Sequence, residues 1–232
     1  MPRPPIAVFD LDGTLAETAP DLISTLNVIM AEEGLPPVAF SDARDMIGAG
    51  ARALVERGFE AGHRELTPAH SDELFRRFLA VYGERLCVDS YLFPHVEEAL
   101  TTLSERGYLL AVCTNKIESH SRTLLGLLGI ADRFAAICGR DTFPWYKPDP
   151  RHLTLTIEAA GGDPERAVMV GDSKTDIDTA KAAGIPVVAV PFGYADRPLA
   201  EMAPDVVIQS FAELPGAVSR LPGHQSGGRD RD

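Results

Sequence analysis

The sequence predicts an α/β fold: a doubly wound, mostly parallel sheet with a helical domain inserted after its first strand. Three observations carry this. Short apolar runs rich in β-branched residues alternate with amphipathic stretches of helical period. Those runs are continuously apolar rather than alternating, as in strands buried on both faces beneath covering helices. One long segment, residues 16–86, breaks the rhythm and holds helical spacing only.

Taken in order, strands are predicted at residues 6–9, 109–113, 135–138, 167–170, 187–190 and 206–208. Helices fit residues 94–106, 119–128, 150–160 and 175–183. Gly107, Gly129, Gly161 and Gly184 each follow a helical stretch, where a left-handed residue closes the helix. This alternation implies a doubly wound core. In the insert, Leu22, Leu26 and Ile29, then Leu54 and Val55, then Leu74, Phe75, Phe78 and Leu79 recur at helical spacing, punctuated by Pro36-Pro37 and Thr67-Pro68. The predicted organisation is a discontinuous core of residues 1–15 and 87–215, a helical cap of residues 16–86, and a tail of residues 216–232. The tail is rich in Gly, Ser, Arg and Asp and is expected to be disordered.

Composition narrows the function. The chain has 232 residues, 45% of them hydrophobic, and a formal charge of −12. That charge disfavours nucleic acid and anionic membrane, which reward a basic face. No run approaches the roughly 20 apolar residues that span a bilayer. The N-terminal apolar run is too short for a signal peptide and ends at Asp10, so a cytoplasmic location is expected. Cys87, Cys113 and Cys138 are odd in number and widely spaced, which argues against a disulfide framework or zinc site. Cys113 and Cys138 read as buried thiols. Oligomeric state is not written in the sequence.

Four segments carry chemistry. Phe9-Asp10-Leu11-Asp12-Gly13-Thr14-Leu15 ends the first strand, where ligands bind in open α/β sheets. Residues two apart on extended backbone point the same way, so Asp10 and Asp12 converge. Two close acids bind a hard cation or divide into nucleophile and acid/base; as isolated residues they equally cap a turn. Val112-Cys113-Thr114-Asn115-Lys116 ends the next strand and offers a hydroxyl and N–H groups ahead of a helix, an anion site or an ordinary N-cap. Tyr146-Lys147-Pro148-Asp149-Pro150 stiffens a lysine before a helix, pointing it inward or into solvent. Val170-Gly171-Asp172-Ser173-Lys174-Thr175-Asp176 follows an apolar strand and opens a helix, with Asp176 one turn beyond Asp172.

In this order the four segments resemble the haloacid dehalogenase-like superfamily of phosphohydrolases, from Ile6 to about Leu214. Met46-Ile47-Gly48-Ala49-Gly50-Ala51-Arg52-Ala53-Leu54-Val55-Glu56-Arg57, Leu92-Phe93-Pro94-His95, Thr114-Asn115-Lys116, Lys147-Pro148-Asp149-Pro150 and Val190-Pro191-Phe192-Gly193-Tyr194 are similar to the phosphoglycolate phosphatase branch. The chain departs from that branch at Gly139-Arg140, where paired glycines are usual, and in the aromatic run Phe143-Pro144-Trp145-Tyr146.

The resemblance implies a phosphomonoesterase working through an aspartyl phosphate, with 2-phosphoglycolate as the small phosphorylated substrate. It implies that Asp10 is the nucleophile and Asp12 the acid/base. Thr114 and Lys147 would hold phosphoryl oxygens, with Gly13, Thr14 and Asn115 also binding substrate. Asp10, Asp12 (by its carbonyl) and Asp172 would hold Mg²⁺, with Asp176 behind them. The cap would read the leaving group; Gly48-Ala49-Gly50 and Arg52 or Arg57 are candidates, Arg57 foremost. Hinges are expected at residues 16–20 and 83–89.

Charge supports the metal. Each unit-charge contact near 4 Å is worth about 4 kcal/mol at an effective dielectric of 20. Four aspartates and a phosphate are more than Lys147 offsets, and an all-oxygen donor set suits Mg²⁺. Other readings within the superfamily are a nucleotide, sugar phosphate or pyrophosphate phosphatase and a phosphosugar mutase. A dehalogenase would have no use for Asp12. Residues 16–86 contain no lysine, which removes the cap Schiff base of a phosphonatase. From another class, the chain could be a non-catalytic sensor of a phosphate ligand. A dinucleotide-binding domain fails, because acids stand where its glycine-rich turn belongs.

Overall fold

The computed structural model describes residues 2–44, 46–47, 50–195 and 198–224. The chain runs β1 (Ile6–Phe9), β2 (Ala16–Glu17), α1 (Ala19–Glu32), α2 (Phe40–Arg44), α3 (Ala51–Ala61), α4 (Pro68–Gly83), β3 (Tyr91–Leu92), α5 (Val96–Glu105), β4 (Leu109–Cys113), α6 (Glu118–Leu127), β5 (Ala136–Cys138), α7 (Pro150–Ala160), β6 (Ala167–Gly171), α8 (Lys174–Ala183), β7 (Val187–Ala189), α9 (Leu199–Met202), β8 (Val206–Val207) and α10 (Leu214–Val218). Six strands form one parallel sheet in the order β5-β4-β1-β6-β7-β8.

The apolar strands are explained by what covers them. Successive side chains of a strand face opposite ways. Ala7 and Phe9 of β1, Val112 of β4 and Val170 of β6 enter one core with Leu100 and Leu103 of α5 and Leu124 of α6. Ile6 and Val8, Ala111 and Met169 enter a second core with Leu153 and Ile157 of α7 and Ile177 of α8. Neither face meets water, so neither needs polar residues. Asp149 caps α7 ahead of Pro150, and Ser173 caps α8. The four glycines expected to close helices all have positive φ.

Helices α1 to α4 bury a core of their own, with Leu26, Ile29, Leu54, Phe59, Leu74 and Phe78 inside. The chain enters and leaves this insert through β2 and β3, which pair antiparallel, Ala16 with Leu92 and Glu17 with Tyr91. The sequence reading found no strand here and set the return crossing at residues 83–89; the paired return lies further on, at Tyr91–Leu92. Two-residue strands carry no periodicity to detect. Next to them the buried Asp21 carboxylate accepts from Val88 N (3.1 Å), Asp89 N (3.1 Å), Ser90 N (2.9 Å) and Ser90 Oγ (2.6 Å). One carboxylate thereby clamps the return segment to α1.

The tail expectation needs correction. From residue 216 the chain continues as the end of α10, and Ala217, Val218 and Leu221 are buried in the core. His224 stacks on Tyr108 with 2.9 Å between its Nδ1 and the phenol oxygen. Glycine, serine, arginine and aspartate suggested disorder, but four apolar or aromatic groups suffice to dock so short a segment. Residues 225–232 lie outside the described residues.

Burying an aliphatic side chain is worth about 1.5–3 kcal/mol. A chain ending at Gly216 loses Val218 and Leu221 and should be less stable by about 3–6 kcal/mol in urea titrations. An unchanged unfolding midpoint would show that the segment contributes nothing.

Candidate active site

Strands β4, β1 and β6 are neighbours at the centre of the sheet, and strand order reverses there. That is where an open α/β sheet binds ligands, beyond its carboxyl ends. Thr114, Asp10 and Asp172 each follow one of these strands. With Asp12, Asn115 and Lys147 they line a cavity of about 220 Å³, which Tyr82, Phe75 and Leu79 of the insert also line.

Lys147 is the electrical centre. Its side chain is 2% exposed, 2.9 Å from Asp10 Oδ1 and 2.5 Å from Asp176 Oδ1. Burial works against the charged ammonium, but Asp10 and Asp176 outweigh it and hold Lys147 above the ordinary lysine range. Asp176 also accepts from Ser173 N (3.0 Å) and Ser173 Oγ (2.7 Å), so both its oxygens are engaged. Asp172 accepts from Thr14 Oγ1 (2.8 Å) and Tyr194 N (2.6 Å).

The backbone makes room for these acids. Gly13 has φ +80°, and a Cβ there would stand 2.6 Å from Asp172 Oδ2. A Cβ on Gly193 would come within 2.3 Å of the same oxygen. Both positions require glycine so that two loops can close on one carboxylate.

Asp10, Asp172 and Asp176 bring carboxylate oxygens within 4.8 Å of one another, all buried. Burial pushes the Asp10 carboxyl up to about 6, against the pull of Lys147 and with the push of Asp176. Burial and the charges of Asp176 and Asp10 raise Asp172 well above the usual carboxylate range. Asp10 Oδ1 is buried, and its partner among the described residues is the Lys147 ammonium at 2.9 Å. An acid cluster in which one ammonium faces three carboxylates is short of positive charge and fits a hard divalent cation. Asp10 and Asp172 are the acids that would bind one: Asp172 is held by the neutral donors of Thr14 and Tyr194 alone, whereas Asp176 is tied to Lys147 and Ser173.

The other expected site residues divide. Asn115 donates to the Lys147 carbonyl at 3.0 Å, fixing the loop that carries the lysine. Thr114 is buried, but α6 begins only at Glu118 and Thr114 N donates to the Cys138 carbonyl at 3.1 Å. The helix starts within one residue of the expected 119, so Thr114 lies in the loop ahead of it and not at its first turn. Gly13 and Thr14 sit behind Asp172 and are not among the described residues lining the cavity. Arg57 is also not among them; it donates to the Met46 carbonyl at 2.9 Å, whereas Arg52 does line it. Gly50 lines the cavity, while Gly48 and Ala49 lie outside the described residues.

Three residues at the site, Lys116, Tyr82 and Tyr194, were given no role by the sequence reading, although Lys116 and Tyr194 stand in segments it singled out. Lys116 Nζ donates to Asp12 Oδ1 at 2.9 Å and to Tyr82 Oη at 2.7 Å, joining the sheet to the insert. Tyr194 Oη accepts from Thr18 N (2.8 Å) and Ala19 N (2.9 Å) and donates to Glu17 Oε1 (2.6 Å), tying the insert's entry strand to the residue that holds Asp172. A signal existed for Lys116. Only four of the 22 Lys and Arg residues are lysine, so a lysine kept at a strand end marks a place that wants a compact ammonium rather than a planar guanidinium.

The raised Asp10 predicts a pH effect on the metal-free protein. Between the unfolded value of 3.8 and about 6, the folded state binds the extra proton, so stability falls as pH rises through that window. Asp10→Asn removes this group. In denaturant titrations with chelator, the variant should gain on the wild type as pH goes from about 4 to above 6, by on the order of 1–3 kcal/mol. A pH-independent difference would contradict the assigned burial.

Comparisons with known proteins agree with this geometry. Residues 7–190 match the family model described as haloacid dehalogenase-like hydrolase. A Mesorhizobium japonicum protein named phosphoglycolate phosphatase is 51% identical over 224 residues, covering 95% of this chain and 99% of its own. One of that name from Agrobacterium fabrum is 47% identical, covering 94% and 93%. The crystal structure of a predicted phosphoglycolate phosphatase from Haemophilus somnus superposes with a TM-score of 0.84 at 34% identity, covering 91% and 96%. With the match spanning most of the chain and the acids standing at the ends of the central strands, this protein belongs to the haloacid dehalogenase-like hydrolases.

Proposed function

We propose that the chain is a magnesium-dependent phosphomonoesterase that works through an aspartyl phosphate on Asp10 and hydrolyses 2-phosphoglycolate to glycolate and phosphate. The observation that carries the chemistry is the convergence of Asp10, Asp172 and Lys147 at the carboxyl ends of adjacent strands. The names of the Mesorhizobium and Agrobacterium relatives support the substrate. The cavity supports it independently: about 220 Å³ is below the roughly 300–1,000 Å³ of pockets that take drug-sized ligands, which favours a short ester over a nucleotide.

In this reading Asp10 attacks phosphorus, and the bond to the leaving oxygen breaks as the aspartyl phosphate forms. Asp12 gives that oxygen a proton, then takes one from the water that hydrolyses the intermediate and restores Asp10. Lys147 and Thr114 hold phosphoryl oxygens, while Asp176 keeps Lys147 aimed at Asp10. Thr14 and Tyr194 fix Asp172. Asp10, Asp172 and the Asp12 carbonyl would hold Mg²⁺, which neutralises the acids and polarises the phosphoryl group. The insert serves as a cap hinged at the β2–β3 pair, with Tyr82, Phe75 and Leu79 excluding bulk water when closed. No described helix is long and apolar enough to cross a membrane.

The test is phosphate release from 2-phosphoglycolate, a nucleoside monophosphate, a hexose phosphate and pyrophosphate, with and without Mg²⁺. Magnesium-dependent preference for 2-phosphoglycolate is expected, and Asp10→Asn should lower kcat by about 10³-fold or more. Preference for another ester would retain the chemistry and discard the substrate; retained Asp10→Asn activity would discard the nucleophile.

A further inference from the structure

The cavity is electrically divided. At the sheet end, Lys147 is paired with Asp10 and Asp176, and the acids Asp10 and Asp172 call for a cation. At the end nearer the insert, hydrogen-bond donors gather. The Lys116 side chain is 5% exposed. Its ammonium donates to Asp12 through both carboxylate oxygens, Oδ1 at 2.9 Å and Oδ2 at a longer 3.3 Å, and to Tyr82 Oη at 2.7 Å. Tyr82 Oη accepts from Lys116, and its own hydrogen has no acceptor among the described residues. Burial pushes that phenol up to about 12, so it keeps its hydrogen at neutral pH. His120, packed edge-on against the Tyr82 ring, has a buried Nδ1 with no hydrogen-bond partner among the described residues. All three residues line the cavity. Leaving a buried phenol hydrogen and a buried imidazole nitrogen unpaired is costly unless a ligand completes them.

The remaining cations of the lining are already engaged. Arg52 is 2.7 Å from Asp72 and lies over the Phe75 ring. Arg140 lies 3.8 Å over the Tyr146 ring. The cavity lining also includes the apolar side chains of Leu22, Ile47 and Leu79. An ammonium, a phenol and an imidazole in apolar surroundings suit a small planar anion with several acceptor sites.

We propose that Lys116, Tyr82 and His120 form the receptor for a carboxylate on the substrate's leaving group, and that Lys116 rather than a cap arginine is its principal specificity determinant. The inference rests on the phosphomonoesterase reading above. It also gives the Lys116–Asp12 pair a purpose. A ligand carboxylate competes with Asp12 for the ammonium and frees Asp12 to turn toward the leaving oxygen. Recognition of the anion and placement of the acid are then one event, and an ester without a carboxylate leaves Asp12 tied to Lys116.

The test compares kcat/KM, with Mg²⁺, for 2-phosphoglycolate and for ethyl phosphate, which has the same two carbons and no carboxylate. The wild type should prefer 2-phosphoglycolate by about 10³-fold or more, as sites built around polar recognition do. Lys116→Met should shrink that ratio by about tenfold or more, chiefly through KM for 2-phosphoglycolate, and Tyr82→Phe should shrink it less, in the same direction. Equal losses on both esters would overturn the receptor and leave Lys116 as a residue that only positions Asp12. A wild type that prefers ethyl phosphate would overturn the receptor and the glycolate reading together. A wild type inactive on both with Mg²⁺ would overturn the phosphomonoesterase reading on which the receptor stands. If Lys116→Met does not fold by circular dichroism, Tyr82→Phe and His120→Gln answer the same ratio question.

Discussion

The structure depends on keeping a lysine and three aspartates together out of water. Lys147, Asp10, Asp172 and Asp176 are all buried. Removing ions from water costs several kcal/mol each, and only good geometry offsets it. The surrounding fold supplies that geometry. Three adjacent parallel strands deliver Asp10, Thr114 and Asp172 to one edge, the Ser173 capping box turns Asp176 toward Lys147, and Gly13 and Gly193 let two loops close on Asp172. The ion count still does not balance. One lysine faces three acids, and the consequence is visible in the raised Asp10 and Asp172. A protein of net charge −12 that handles phosphate must obtain further positive charge at the site itself.

The helical insert is coupled to this charge cluster through single residues. Tyr194 donates its backbone N–H to Asp172, and its hydroxyl binds the chain where the insert begins. Lys116 reaches from the sheet to Tyr82 on α4. Asp21 pins the return segment beside β3. In the proposed mechanism, movement at the β2–β3 pair would pull on residues that hold the site's acids. Such a coupling suits a reaction that must exclude bulk water in one step and admit a single water in the next.

Most of the sheet was readable from sequence because its strands are buried on both faces and leave unbroken apolar runs; the observed β1 and β4 span the residues that the runs mark. The helices were readable from period and punctuation, α7 above all, with proline at its start and glycine at its end. The four acids and Lys147 were readable because they follow apolar strands or sit between prolines. What failed has common causes. Strands β2 and β3 are two residues each, too short for a pattern. The last segment has a loop's composition, yet Val218 and Leu221 find a core that composition cannot foresee. Lys116, Tyr82 and Tyr194 act through contacts across 34 to 177 positions of sequence. Arg57 looked suitable because it is a cap cation; its direction on α3, toward the Met46 carbonyl, is a matter of tertiary packing.

The most direct test of the account is whether phosphorus passes through Asp10. The enzyme would be mixed with 2-phosphoglycolate and Mg²⁺, quenched in acid within milliseconds, digested and weighed by mass spectrometry. The account predicts one added phosphoryl group on the peptide containing Asp10, lost on longer incubation as free phosphate accumulates. Phosphate release at full rate, with that peptide unmodified at every quench time, would contradict it.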